Sequence, residues 1–198
     1  KETLYALVNK PGIAIPGPLL HLPLEKFREQ MAVNVTGPFI VNQAFAPLMG
    51  KGSRIVMMSS VGGVVGTPFL GAYNASKFAI EGMSEALRRE LMLLEIDVII
   101  IAPGAVATPI WGKGDTADAR AFAATPYGPS LRALGEFMKE ADRTGLPPER
   151  IGELVHKVLT DTHPRTRYLV TPDLARQLLL RWLPKRLADH LVAKTLGL

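Results

Sequence analysis

The sequence of 198 residues contains no cysteine. This absence excludes disulfide bonds, thiolate nucleophiles and cysteine-based zinc sites, and it fits a reducing compartment. Histidine is also scarce, and none of the four histidines stands at metal-ligand spacing from another histidine or a carboxylate. We therefore predict that the protein has no metal site.

Long apolar runs are missing as well. No run approaches the roughly 20 residues that a membrane-spanning helix requires, and the amino end lacks the basic and then apolar layout of a signal peptide. The formal net charge is +5 at pH 7, but the basic residues are spread along the chain except near residues 176–194. The composition therefore predicts a cytoplasmic protein that does not bind nucleic acid.

The sequence does contain short apolar runs that alternate with helical patterns. The predicted strands are residues 4–8, 54–58, 96–102 and 166–171. The predicted helices are residues 23–49, with a bend near Pro38, then 71–95 and 148–159. This alternation predicts one α/β domain, a doubly wound Rossmann-type parallel sheet with helices on both faces.

A tyrosine and a lysine stand four residues apart in the longest helical segment. On a helix the side chains of Tyr73 and Lys77 are neighbours, so we expect the ammonium to lower the pKa of the phenol. A tyrosine with a lowered pKa can act as an acid or a base near neutral pH. The pair alone decides little, because this spacing also arises by chance.

Three other segments accompany that pair. Ser60 ends one predicted strand, Pro103-Gly104 end the next, and Asn34 lies at the bend of the first helix. Ligands bind at the carboxyl ends of strands in open α/β sheets. In this order and at these spacings, the segments resemble the active-site signature of the short-chain dehydrogenases/reductases over almost the whole chain.

The resemblance implies a set of roles. Tyr73 would be the acid/base in reversible hydride transfer between a secondary alcohol and a ketone, and Lys77 would assist it and bind the nicotinamide ribose. Ser60 would hold the reacting oxygen, and Asn34 would organise a proton relay. The implied cofactor is NAD or NADP, the choice being unreadable from this chain, and its implied contacts are Asn9, Gly12, Tyr73, Lys77, Pro103, Gly104, Val106 and Thr108.

The resemblance is nearest to steroid and retinol dehydrogenases, which implies a lipophilic substrate and a homo-oligomer, either a dimer or a tetramer. Residues 109–130 are rich in Gly, Pro and aromatic residues, and we predict a substrate lid there. The expected substrate contacts are Ser60, Trp111, Phe122 and Tyr127. An ordinary surface loop whose aromatic residues pack on the core is the alternative.

Two departures from the family pattern affect the expected function. Asn9-Lys10-Pro11-Gly12 stands where the family has Asn-Asn-Ala-Gly. The glycine-rich turn that carries the cofactor pyrophosphate is not found in this chain, so residues 1–198 are expected to be the carboxy-terminal part of one Rossmann-type domain. A dinucleotide-binding regulatory or interaction protein of the same fold therefore remains an alternative to an enzyme.

The carboxy-terminal segment, residues 173–198, is both apolar and basic. We expect a helix before Pro184 and another after it. Docking onto the protein itself or onto a second subunit is the favoured use of this segment, and binding to an anionic membrane surface is the alternative.

Overall fold

The computed structural model describes residues 3–108, 110, 121–175, 179 and 182–198. In this part of the chain four parallel strands form one sheet in the order β1-β2-β3-β4. The strands are β1 Leu4–Asn9, β2 Met49–Met58, β3 Asp97–Pro103 and β4 Arg167–Val170. The helices are α1 Leu24–Met31, α2 Gly37–Phe45, α3 Gly71–Leu91, α4 Gly128–Thr144, α5 Pro148–Thr160 and α6 Lys185–Leu196.

Helices cover both faces of this sheet, as the alternation of strands and helices predicted. Successive residues of a strand point to opposite faces. Ile55 and Met57 of β2 pack with Ile80 of α3 on one face, whereas Val56 packs with Val158 of α5 on the other. The central strands are buried on both sides, which is typical of parallel sheets.

The predicted bent helix is two helices joined by an irregular turn. Residues Ala32–Thr36 form one π-helical turn between α1 and α2, directly before Gly37 and Pro38. Such turns often occur at functional sites because they leave backbone groups out of the regular helical pattern. The irregular backbone therefore lies at the position predicted for the bend, and Asn34 lies inside it. The bend itself stays a prediction.

The first strand, β1, is less buried than the central strands β2 and β3. β1 is at the edge of the described sheet, and Tyr5 and Val8 are exposed. Its register with β2 is irregular: Leu4 pairs with Met49, whereas Ala6 pairs with Arg54. Residues 50–53, which include two glycines, lie within β2, and this irregularity accommodates them.

The carboxy-terminal helix α6 begins directly after Pro184, as predicted. Leu196 is 5% exposed and Val192 packs beside it, in a cluster that also contains Tyr73 and residues of α4. The hydroxyl of Ser130 donates to the carbonyl of Gly197 at 3.2 Å. One face of α6 thus docks on the protein itself, beside the amino end of α3. Within the described residues no helix is long and apolar enough to cross a membrane.

Candidate active site

Helix α3 places Tyr73 and Lys77 on one buried face, one turn apart. Both side chains are buried, and the Lys77 Nζ lies 5.8 Å from the centroid of the Tyr73 ring. The Lys77 Nζ donates a hydrogen bond of 3.2 Å to the carbonyl of Met58, at the carboxyl end of β2. The sheet therefore holds the ammonium at the edge where ligands bind in α/β proteins.

The pKa of each group is moved away from its ordinary value by burial. Burial raises the pKa of the Tyr73 phenol, and a hydrogen bond with Ser60 partly opposes this effect. Burial lowers the pKa of Lys77 from 10.5 to about 8. The lowered pKa that was expected for Tyr73 is thus not found, because the loss of solvation outweighs the interactions that favour the phenolate.

Ser60 lies at the end of β2, where its hydroxyl is hydrogen-bonded to Tyr73 and accepts from the backbone N–H of Gly62 at 3.1 Å. The glycines that follow Ser60 are closely packed. A Cβ at Gly62 would meet the Asn74 Nδ2 at 2.8 Å and the Tyr73 ring at 3.3 Å. The absence of a side chain at Gly62 therefore allows helix α3 to pack closely against this turn.

Asn34 is fully buried in the π-helical turn. Its side chain accepts from the backbone N–H of Ile13 and donates to the carbonyl of Ile13, both at 3.0 Å. It also donates to the hydroxyl of Ser76 at 2.9 Å, and this hydroxyl donates to the carbonyl of Tyr73 at 2.7 Å. Asn34 thus ties the loop after β1 to helix α3, and its expected relay to Lys77 stays a prediction.

The turn after β1 brings one of its two predicted cofactor contacts beside Lys77. A Cβ built on Gly12 would lie 4.0 Å from the Lys77 Nζ. Asn9 points inward, and its Nδ2 donates to the Asn42 Oδ1 at 2.7 Å and contacts the Met57 sulfur at 3.3 Å. The side chain of Asn9 therefore fixes the turn from inside.

Residues 103–108 continue from β3 along the same edge of the sheet. The N–H of Gly104 donates to the carbonyl of Val170 at 2.8 Å, and a Cβ at Gly104 would meet the Thr171 hydroxyl at 2.7 Å. Val106 forms an isolated bridge with Leu146, and the Thr108 N–H donates to the Val106 carbonyl at 2.8 Å. Backbone contacts thus hold the predicted nicotinamide segment.

The described part of the predicted lid packs next to Tyr73. Phe122 and Tyr127 are half-buried against the cluster that contains the Tyr73 ring, and both rings contact His21. Helix α4 begins at Gly128, so the last three residues of the predicted lid, 128–130, are helical. Trp111, the third predicted aromatic contact, lies outside the described residues.

Comparison with known proteins identifies the family of the chain. The family described as short chain dehydrogenase matches residues 2–119, which is more than half of the chain. The chain belongs to the short chain dehydrogenase family. Within the described residues of this family member, no group of three or more His, Cys, Asp or Glu side chains is placed to hold a metal ion.

Two curated relatives of this short chain dehydrogenase are named as reductases. It is 34% identical, over 99% of its length, to an NADPH-dependent 3-dehydrocapnine reductase of Ornithobacterium rhinotracheale, and covers 71% of that protein. It is 33% identical, over 93% of its length, to a 3-ketodihydrosphingosine reductase of Bacteroides thetaiotaomicron, and covers 70% of that protein.

A solved short chain dehydrogenase/reductase from Burkholderia phymatum, in complex with NAD, has a similar fold. The TM-score is 0.74 at 25% identity, and the match covers 90% of this chain and 65% of that one. The chain thus spans about two thirds of the length of the proteins it resembles.

The surroundings of Lys77 are suited to the ribose of a nicotinamide cofactor. An ammonium has three N–H donors, and among the described residues the Lys77 Nζ makes one hydrogen bond, to Met58. Gly12 approaches the ammonium without a side chain of its own, since a Cβ there would lie 4.0 Å from the Lys77 Nζ. The remaining donors match the hydroxyl groups of a ribose, so the residues present fit the cofactor at its nicotinamide end.

Two buried polar residues that support the site were not predicted from the sequence. Asn74 binds the loop after Ser60, and Gln30 of α1 binds the backbone of Ile13 and Ile15. Both are amides within helices that also carry apolar residues. A polar residue on the apolar face of a helix is the signal that would have identified them, because such a residue requires partners when it is buried.

Proposed function

We propose that this chain carries the catalytic residues of an NAD(P)-dependent oxidoreductase that interconverts a secondary alcohol and a ketone. The contact between the Tyr73 phenol and the Ser60 hydroxyl, with Lys77 one helical turn away, carries this proposal. The printed names of the two reductases support it, one of which is NADPH-dependent. Since those proteins are longer, the activity is proposed for the whole protein, with residues 1–198 as the carboxy-terminal part of one domain.

In this mechanism a bound nicotinamide supplies or accepts the hydride. Ser60 donates a hydrogen bond to the substrate oxygen, and Tyr73 gives that oxygen a proton as its negative charge develops. Lys77 stabilises the phenolate that remains. The raised pKa of Tyr73 keeps the phenol in its protonated form, which is the form that ketone reduction requires. We propose reduction as the favoured direction, and the names of the two reductases support it.

The proposed cofactor contacts form two groups. Lys77 and Tyr73 face the ribose beside Gly12, with Asn9 holding the turn. The nicotinamide itself would be bound by the segment after β3, namely Pro103, Gly104, Val106 and Thr108. We propose that Asn34 holds the loop after β1 against α3 and contributes to proton transfer toward Lys77. The choice between NAD and NADP is left to the experiment below.

The proposed substrate is a lipophilic ketone, for example of the steroid or retinol type. Phe122 and Tyr127 support this, because they form an apolar wall on the cluster that contains the Tyr73 ring. Replacing Phe122 by Ser should raise KM for apolar ketones more than KM for short polar ones. Equal changes for both classes would argue against substrate contact by this residue.

The activity is tested by measuring ketone-dependent oxidation of NADH and of NADPH. Tyr73→Phe should reduce turnover by about 100-fold or more and leave cofactor binding nearly unchanged, since only the proton donor is lost. Tyr168→Phe is the matched control, because that hydroxyl binds the backbone of Arg165 away from the site. Turnover by the Tyr73→Phe protein at the wild-type rate would refute the proposal.

A regulatory dinucleotide-binding protein of the same fold is the second candidate. The observation that favours it is the sequence Lys10-Pro11, because proline removes a backbone donor from the turn beside Gly12. Calorimetry separates the candidates: dinucleotide binding without turnover on any ketone in a broad series favours this alternative. If the double variant Lys10→Asn/Pro11→Ala then gains turnover, the sequence of this turn is the reason why the natural chain lacks activity.

We also propose contacts with partners beyond the substrate. The outer face of α6 exposes Leu187 and Leu191 beside Lys194, and Trp182 is 79% exposed. Apolar side chains flanked by cations suit an anionic membrane surface. Sedimentation with anionic vesicles should decrease when Leu187 and Leu191 are both changed to Ser. Unchanged sedimentation would exclude α6 from membrane contact.

Exposed apolar side chains also lie on the helices that flank the site. Phe39 and Ile40 of α2 and Phe78 of α3 are about half exposed. We propose that they contribute to a homo-oligomer. Light scattering on the wild-type protein and on Phe39→Ser tests this, and a monomer in both cases would refute it.

A further inference from the structure

The side chain of Asn74 makes three hydrogen bonds to one loop. Its Nδ2 donates to the carbonyl of Gly62 at 2.9 Å and more weakly to that of Val65 at 3.4 Å. Its Oδ1 accepts from the backbone N–H of Thr67 at 2.8 Å. The side chain is buried. The backbone groups of this loop are not paired in a helix or a sheet, and the Asn74 side chain supplies hydrogen-bond partners for three of them.

The same loop controls the hydroxyl of Ser60. Gly62 is bound through both of its backbone polar groups: its N–H donates to the Ser60 Oγ, and its carbonyl accepts from Asn74. Ser60 is in turn hydrogen-bonded to Tyr73, which precedes Asn74 in α3. These contacts close a ring that begins and ends on adjacent residues of one helix. A shift of the loop would therefore move the Ser60 hydroxyl relative to the phenol.

We propose that Asn74 is a positioning residue: its carboxamide fixes the loop 61–67 so that the Ser60 hydroxyl stays on Tyr73. Asn74 itself makes no contact with substrate in this scheme. The proposal rests on the proposed function for its effect on turnover, whereas its effect on the Ser60 and Tyr73 contact is independent of any activity.

Removing the carboxamide should change the pKa of Tyr73, which would not happen if Asn74 only stabilised the fold. In Asn74→Ala the buried carbonyl of Gly62 and the partly buried N–H of Thr67 lose their partner, and the loop must shift to find others. The hydrogen bond from Ser60, which lowers the pKa of Tyr73, then weakens. The charged group that faces the phenol from the described residues is Lys77, and it is unchanged. The pKa of Tyr73 should therefore rise further.

The test is a double-mutant cycle of Asn74→Ala with Ser60→Ala. The titration of Tyr73 is followed by NMR of tyrosine labelled at the ring carbon that bears oxygen, with the Tyr73→Phe protein for assignment. Each single variant should titrate at higher pH than the wild type or stay protonated to the pH of unfolding. The double variant should match Ser60→Ala, because Asn74 acts through Ser60.

Turnover provides a second measurement in the same cycle. Each single variant should lose about 10- to 100-fold in kcat, and the losses should not multiply in the double variant. If the protein reduces no ketone, the titration still decides whether Asn74 positions Ser60. If turnover is present but the titration of Asn74→Ala matches the wild type, the positioning role is refuted and the proposed function stands.

Two further variants separate positioning from stability. Asn74→Gln keeps an amide but displaces it by one methylene, so it should fold and still raise the pKa of Tyr73; it replaces Asn74→Ala if that variant does not fold. Asn42→Ala removes another buried amide, which binds Asn9 from α2. It should lower stability without moving the titration of Tyr73. A shift in Asn42→Ala as large as that in Asn74→Ala would overturn the proposal.

Discussion

Replacing Lys77 by methionine should stabilise the protein while removing its function. The ammonium of Lys77 is almost completely buried, with one hydrogen bond to a described residue, the Met58 carbonyl. Methionine has a similar length and no charge, so it removes the cost of burying a cation. The same change deletes the group that is proposed to bind the ribose and to assist Tyr73.

The size of this effect follows from the lowered pKa. At about 1.36 kcal/mol per pH unit, the interval between 8 and 10.5 corresponds to a destabilisation of about 3 kcal/mol by the charged form at pH 7. Losing the hydrogen bond to the buried carbonyl of Met58 costs about 1 kcal/mol in return. The net gain in the free energy of unfolding should be about 2 kcal/mol.

The sign of the pH dependence gives a sharper test. Because the folded-state pKa of Lys77 lies below its unfolded-state value, the unfolded chain binds the extra proton between pH 8 and 10.5, and wild-type stability rises with pH in this window. The advantage of Lys77→Met should therefore fall from about 2 kcal/mol at pH 7 to nearly zero at pH 10. Measurements stop at pH 10, the ordinary pKa of a tyrosine. Above this pH the unfolded chain loses the Tyr73 proton more readily than the folded protein does, so stability falls for a second reason.

Urea unfolding at pH 7, 8.5 and 10 measures this difference, provided that both proteins unfold in two states with equal m values. Lys51→Met is the control, since Lys51 is exposed and pairs with Glu95 at the surface. It should show no comparable gain. The claim that the buried charge of Lys77 destabilises the protein would be refuted in either of two cases. Lys77→Met could be less stable than the wild type at pH 7, or its stability advantage could be the same at every pH.

Two further substitutions test the packing around the site. Gly62→Ala places a Cβ against Asn74 and the Tyr73 ring, so it should cost about 1–3 kcal/mol in urea unfolding and lower kcat, whereas Gly66→Ala, which has open space, should be nearly neutral in both assays. Leu196→Ala should cost about 2–3 kcal/mol and make α6 sensitive to proteolysis, whereas the exposed Leu198→Ala should change neither; an intact α6 in Leu196→Ala would contradict its docking by this side chain.

Much of the fold was predictable from local sequence patterns. The β2 and β3 runs are apolar because both faces of these strands are buried, and their alternation with amphipathic helices indicated a parallel sheet. Pro38 indicated irregular backbone beside Asn34, where the structure has a π-helical turn. The four-residue spacing of Tyr73 and Lys77 placed both groups on one face of α3, since helical periodicity depends only on the backbone.

The tertiary structure decided what those side chains contact. The pKa of Tyr73 is raised because α3 packs against the turn after Ser60 and buries the phenol. The spacing of residues along the chain does not show how deeply a side chain is buried. Gly62 has no side chain and therefore accommodates Asn74, and the sequence around neither residue specifies that the two are in contact. Such contacts join residues distant in sequence, so they depend on how the elements pack. Periodicity specifies which face of a helix is buried, whereas the solvation of each polar group on that face is set by the segment that covers it.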